Sequence, residues 1–356
     1  MYLDPMTVYR EYVQNSVDAI DDARQAGLFS LSDAGLVQIE IDASLRRVRI
    51  RDNGAGLDGS NFKRRLLAFG SSAKRGKKAR GFRGVGRLSG LGYCQELVFR
   101  SRTDGEKFVR ELCWDCRRLK SALRSTDDGS ALADLVREMV FVRKASGDGY
   151  PSRFFEVELA GVVRHRSDRL LSSQAVAEYL SQVAPVPFAP DFKLGEQITS
   201  ALGEHVDLAP IELRIAGVEG QIYRPFRDEF QIGEKETDRF TEVSISRIEG
   251  IDGGLAAIAW VLHHGYTGAI PVKAQIKGLR ARSGNIQIGE HALFEELFPE
   301  PRFNAWTVGE VHVVDSRIIP NGRRDHFEQN VHYDNLINSV GIVPGSVEIG
   351  VAGVDG

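Results

Sequence analysis

The sequence predicts an α+β protein built as two successive domains, and three observations carry that expectation. A long helical period gives way to an antiparallel hairpin and four further strand patterns. A proline-dense stretch then interrupts the chain near residue 190. A second run of strands with a helix follows it, and 356 residues are enough to give both parts a core.

Taken in order, helical periodicity runs from about Met6 to Ala26, with Val8, Tyr12, Val13, Val17 and Ile20 at apolar positions and Gly27 as its stop. "LVQIEID" and "RRVRIRD" alternate around the turn "ASLR" and read as a hairpin ending at Asp52. The basic, glycine-rich "FGSSAKRGKKARGFRGVGRLSGLGYC" cannot be a regular strand and holds a helix after Gly86. "ELVFRSR", "EKFVRELCWD", "REMVFVRK" and "RFFEVELAG" read as strands, "SSQAVAEYLSQVA" as a helix, and "PVPFAP" as a boundary. Beyond it, "PIELRIAG", "EVSISRIEG", "LAAIAWVLHHGY", "VKAQIKGLRAR" and "VGEVHVVDS" read as strands of a second unit and "GEHALFEELFPE" as its helix. These patterns divide the chain into a first domain at 1–170, a connecting helix and linker at 171–200, a smaller second domain at 201–345 and a trailing segment at 346–356.

Composition narrows the function classes. Hydrophobic residues make up 42% and charged residues 27%, the balance of a globular protein. A net charge of −3 supplies no overall field for nucleic acid or a membrane surface. No apolar run reaches the roughly 18 residues that span a bilayer, and "MYLDPMTVYREY" lacks the order of a secretory signal, so a cytoplasmic protein is expected. Three cysteines, Cys94, Cys113 and Cys116, cannot all pair internally, which fits a reducing compartment. Cys113 and Cys116 form one C-x-x-C with no second pair to complete a zinc site, so strand packing is their expected role.

Three stretches carry chemistry. In "EYVQNSVDAI", Glu11, Asn15 and Asp18 stand four and three residues apart and share one helical face. Alone, such a stripe is a solvated polar face. In "IRDNGAGLD", Asp52 ends a strand, and Gly54 and Gly56 leave backbone bare for close approach. In "GFRGVGRLSG", Gly81, Gly84 and Gly86 precede a helix start, where unpaired N–H groups and the dipole favour phosphate.

In this order and at these separations the three stretches resemble the GHKL superfamily of histidine kinases, DNA gyrase, the ninety-kilodalton heat-shock chaperone and MutL or MORC ATPases. "EYVQNSVDA" is similar to the family's E-x-x-x-N-x-x-D-A helix, "DNGAG" to its adenine loop and "GFRGVG" to its phosphate-lid glycines. "FGSSAKRG" and "GVGRLSGLG" look most like the chaperone branch. The resemblance implies a Bergerat-type α/β sandwich that binds ATP, followed by a transducer-like α+β domain of the ribosomal-protein βαβ type.

It also implies roles. Asn15 would hold Mg²⁺, which prefers oxygen ligands. Glu11 would deprotonate the attacking water. Asp52 would accept from the adenine amino group, with Gly54 and Gly56 giving the ring room, and Asp18 would support the pocket. Lys74 would meet phosphate beside Ser71 and Ser72, and Gly81, Arg83, Gly84, Val85 and Gly86 would form the lid turn. Arg83 departs from the chaperone pattern, which has phenylalanine there, and Ser152 stands in for the family's G-T pair. The chaperone branch carries a strand and a helix ahead of the stripe, so residues preceding Met1 are expected.

In the second domain, "GEVHVVDSRIIPNGRRDHFEQN" resembles the chaperone stretch whose arginine reaches the terminal phosphate, which assigns that task to Arg324, with Arg323 one register away. Gyrase and MutL use a lysine on a Q-T-K-like loop, and "AQIKG" offers Lys277; reading "VKAQIKGLRAR" as one continuous strand ranks it second. The expected protein is therefore a chaperone-like ATPase in which ATP drives closure or homodimerisation, with a protein client and no membrane. Two alternatives stand beside it. One is a DNA-associated clamp of the MutL or MORC kind, supported by the basic run but lacking interleaved aromatic residues. The other is a regulatory module that holds nucleotide without turnover.

Overall fold

The computed structural model describes residues 4–30, 33–67, 86–122, 138–164, 167–208, 211–232 and 236–341. They form two compact units, Met1–Leu180 with Pro210–Ile222, and Ser181–Ala209 with Tyr223–Gly356. No helix among the described residues is long and apolar enough to cross a membrane.

In chain order the first unit holds α1 (Thr7–Gln25), β1 (Leu36–Asp42), β2 (Arg47–Asp52), α2 (Gly59–Leu67), a 3-10 helix (Gly86–Gly92), β3 (Glu96–Arg102), β4 (Phe108–Asp115), α3 (Cys116–Ala122), β5 (Val140–Ser146) and β6 (Phe154–Ala160). α4 (Ser173–Val183) follows, α5 (Gly195–Gly203) belongs to the second unit, and β7 (Glu212–Ile215) returns to the first. The sheet order is β5-β4-β3-β6-β2-β1-β7. All pairings are antiparallel except β1 with β7, where Ile39 stands opposite Ile215.

The two faces of this sheet follow the alternation of its strands. Val37 and Ile39, Val48 and Ile50, and Val157 and Leu159 are buried, as are Val8, Tyr12, Val13, Val17 and Ile20 of α1, which packs on β2. Each such side chain contributes about 1.5–3 kcal/mol by leaving water. The intervening positions carry charge: Arg100 of β3 bonds Glu111 of β4 at 2.7 Å and Glu156 and Glu158 of β6 at 2.8 and 2.6 Å. α1 stops where expected. Gly27 has φ +69°, and the Gly27 and Leu28 amides donate to the carbonyls of Arg24 and Ala23.

The second unit contains β8 (Glu229–Gln231), β9 (Thr237–Arg239), β10 (Glu242–Glu249), β11 (Leu255–His263), β12 (Gly278–Ser283), β13 (Ile286–Ile288), β14 (Val308–Val313) and α6 (Val331–Val340). β10-β11-β14-β12-β13 form a five-stranded sheet, with β12 and β14 parallel, and β8 and β9 form a separate ribbon. Tyr333, Leu336 and Val340 of α6 join Leu279, Ala281 and Val311 in one core, while Phe226, Ile258, Trp260 and Leu262 join Phe192, Ile198 and Leu202 in another.

Three expectations for this part of the chain fail. The strand in "PIELRIAG" pairs with β1 and so extends the first sheet; alternation fixes which residues turn inward but not which strand they lie beside. "GEHALFEELFPE" forms only a short 3-10 helix, Glu295–Leu297, because Pro299 and Pro301 follow at once. "VKAQIKGLRAR" is not continuous either: Val272–Ala274 is a 3-10 helix, Gln275 and Gly278 take φ +63° and +86°, and β12 begins only at Gly278.

A buried ionic cluster lies between β12 and β14. Glu310, fully buried, pairs with Arg224 and bonds Arg282 Nε at 2.6 Å. The same arginines donate to the end of α4 and to the proline-rich stretch after it, Arg282 to the Gln182 carbonyl at 2.6 Å and Arg224 to that of Val186 at 3.1 Å. "PVPFAP" is thus bound into the second unit through its backbone. Burial and the two guanidiniums pull Glu310 in opposite directions, and the guanidiniums prevail, holding its carboxyl well below the usual range.

Candidate functional site

The stripe on α1 is not a solvated face. Glu11 and Asp18 are only 7% and 6% exposed, and Asn15 is half-buried. Glu11 lies 3.8 Å from the Arg10 guanidinium, yet its Oε1 has no hydrogen-bond partner among the described residues. A buried carboxylate oxygen left without a donor is costly in a folded protein, so one held ready is a functional signal. Gly86, the first residue of the 3-10 helix, sits against this carboxylate: a Cβ there would collide with Glu11 Oε2.

Asp52 ends β2 in a closed environment. Its Oδ1 accepts from the Gly54 amide at 3.0 Å, and the nearby Ser16 side chain and Phe155 amide favour its ionised form. Burial raises its pKa to about 7, against those hydrogen bonds and the Arg153 charge. Oδ2 is buried without a partner among the described residues and can accept one donor of a ligand.

The neighbouring glycines also have a packing reason. A Cβ on Gly54 would stand 2.6 Å from the Ala19 carbonyl carbon of α1, and one on Gly56, at φ +69°, would meet the Arg102 carbonyl. Gly54 and Gly56 are therefore required by the packing of the loop on α1 and β3. The Ala55 amide completes the junction by donating to the Ala19 carbonyl at 3.0 Å.

Asn15, Asp18, Ala19 and Asp22 of α1 line a cleft with Ala55, Gly56 and Leu57 of the loop, Phe155 of β6, Arg65 of α2 and Arg87 of the 3-10 helix. The cleft is partly open to solvent. Asp22 extends the stripe by one further turn and was legible at its spacing; Arg65 and Arg87 had no sequence signal beyond charge. Tyr12 fixes the 3-10 helix on α1, its hydroxyl donating to the Arg87 carbonyl at 3.1 Å and accepting from the Gly90 amide at 2.9 Å.

The donor set suits magnesium and nucleotide. The Asn15 amide borders the cleft, and its Nδ2 has no acceptor among the described residues, so the carboxamide can turn its oxygen to a cation without losing a bond.

Ser71, Lys74, Gly81, Arg83, Gly84 and Val85 lie outside the described residues. Ser152 is exposed just ahead of β6. In the second unit Arg324 is 6% exposed at φ +56°, its carbonyl accepting from the Gly289 amide at 2.8 Å, whereas Arg323 is exposed. Lys277 is half-buried on the loop before β12, so the reason for ranking it second does not hold. Cys116 faces Cys94 rather than Cys113, with Sγ atoms 3.8 Å apart, and no metal-binding group of three side chains occurs among the described residues.

No curated protein matches the chain. Residues 4–132, which contain the α1 stripe, Asp52, both cleft arginines and Gly86, match the family model described as histidine kinase-, DNA gyrase B- and HSP90-like ATPase, and this places that stretch in the GHKL ATPase superfamily.

Proposed function

We propose that the first unit binds Mg-ATP and hydrolyses it to ADP and phosphate, in a chaperone-like ATPase whose ATP state favours domain closure or homodimerisation. The observation that carries the reading is the buried Oδ2 of Asp52, without a partner among the described residues, at the end of the strand β2 that packs on α1, whose Asn15 borders the cleft and whose Glu11 lies one turn before it. Asp52 accepts the adenine amino group and sets the nucleotide's depth. Asn15 would hold the magnesium ion, which supplies positive charge to the phosphates. Glu11 takes a proton from the attacking water, for which its Oε1, without a hydrogen-bond partner among the described residues, is suited.

Stabilising charge on the γ-phosphate would fall to a cationic side chain, worth testing at two positions. Arg324 is the chaperone-like choice; the loop position of Lys277 supports the gyrase and MutL arrangement. Calorimetry with adenosine, ADP and Mg-ATP tests the core of the reading. All three should bind wild-type protein, and Asp52→Asn should weaken all three alike. Unchanged affinities in a folded Asp52→Asn protein would sink the adenine assignment.

A further inference from the structure

We propose that Arg65 and Arg87 form a basic wall of the cleft that holds the phosphate chain of the nucleotide and fixes its direction of entry. The inference rests on the nucleotide reading and adds two ligand residues to it.

The charges in the cleft are segregated by element. α1 supplies only acids, Asp18 and Asp22, while α2 supplies Arg65 and the 3-10 helix supplies Arg87. A polyanion is repelled by the C-terminal half of α1 and drawn to the other elements. An adenine seated at Asp52 must then direct its phosphates toward the arginines.

Arg87 is the better placed of the two. Its neighbour Gly86 abuts Glu11, and the Tyr12 hydroxyl grips its carbonyl, so its backbone is fixed at the reacting end of the stripe. Its side chain is held in an unfavourable setting. Burial lowers its proton affinity most, the Arg65 charge lowers it further, and Asp18 and Asp22 only oppose this. An incoming phosphate offsets both penalties with opposite charge and hydrogen bonds, since each guanidinium can offer two parallel N–H donors to phosphate oxygens. The competing account is that Arg87 is a structural cation for Asp18 and Asp22, which would make it indifferent to what the ligand carries beyond adenosine.

The test is calorimetry on the full chain with Mg-ATP and with adenosine, for wild type, Arg65→Met, Arg87→Met, Arg87→Lys and the double methionine variant. Arg87→Met should weaken ATP roughly 10- to 100-fold, the scale of a hydrogen bond to a charged group, and leave adenosine within about twofold. Arg87→Lys should recover part of the loss, and added salt should narrow the gap between wild type and the double variant. An unchanged ratio of ATP to adenosine affinity in the double variant overturns the proposal, whether both affinities stay or both fall together. Wild-type protein that binds neither ligand overturns the nucleotide reading itself, a distinct result.

Discussion

Gly86 lies so close to Glu11 that a single added methyl would overlap the carboxylate Oε2. The first residue of the 3-10 helix therefore limits where the proposed base can stand, since a side chain there would force the Glu11 carboxylate to rotate.

This yields a paired prediction. Glu11→Ala should keep ATP affinity while turnover falls by about 10²–10⁴, the usual contribution of a positioned general base. Gly86→Ala should reproduce part of that loss with Glu11 still present, because the carboxylate must rotate away. Phosphate-release assays beside calorimetry check both. Unaltered turnover in Glu11→Ala removes it from the mechanism.

Asp52 predicts a pH dependence whose sign is fixed by its raised pKa. The folded carboxyl titrates near 7 and the unfolded one near 3.8, so its proton stabilises the fold fully below about 3.8 and that contribution is lost as pH rises through 7. The stability of wild type relative to Asp52→Asn should fall between pH 4 and 7, by a few kcal/mol at about 1.4 kcal/mol per pKa unit. Chemical denaturation at several pH values measures it. Adenine binding should run the other way in wild type, strengthening toward pH 8 as the carboxylate becomes a full acceptor.

How far the site was legible depended on how local its physics is. Glu11, Asn15 and Asp18 share a face because helical spacing alone puts them there, and Asp22 follows from the same arithmetic. Gly54 and Gly56 were legible as bare backbone but not as to what presses on them, since Ala19 and Arg102 arrive from elements distant in sequence. Arg65 and Arg87 were illegible for the same reason: they reach one cleft from two separate elements, and no residue pattern pairs them. β7 shows the limit at the level of the fold. Its alternation named a strand, while its parallel partner β1 lies far back in the chain.

The buried cluster in the second unit makes a stability prediction. Glu310→Ala would leave Arg224 and Arg282 buried beside each other with only neutral acceptors, a change worth about 3–5 kcal/mol. Because the arginines also hold the Gln182 and Val186 carbonyls, hydrogen exchange in 182–188 should rise in the same variant. Protection there equal to wild type would mean that the prolines alone order the stretch.

The choice between Arg324 and Lys277 as phosphate sensor can be made with variants matched to their backbones. Arg324 sits at φ +56°, where glycine is at no disadvantage, so Arg324→Gly removes the side chain without adding backbone strain. Arg324 is also buried, so its loss can destabilise the second unit, and a melting curve must accompany each assay. A cation that touches only the γ-phosphate is irrelevant to ADP. If Arg324 has that task, Arg324→Gly should lower turnover about 10³-fold or more, spare ADP affinity and abolish any ATP-specific compaction in small-angle scattering. Arg324→Lys should recover only part, since lysine keeps the charge but not the planar fork. Arg323→Ala, on the exposed neighbour, reads the register: a full defect there with none at Arg324 shifts the assignment by one residue. Normal turnover in the Arg323 and Arg324 double variant, with Lys277→Ala inactive, assigns the task to the loop before β12 instead.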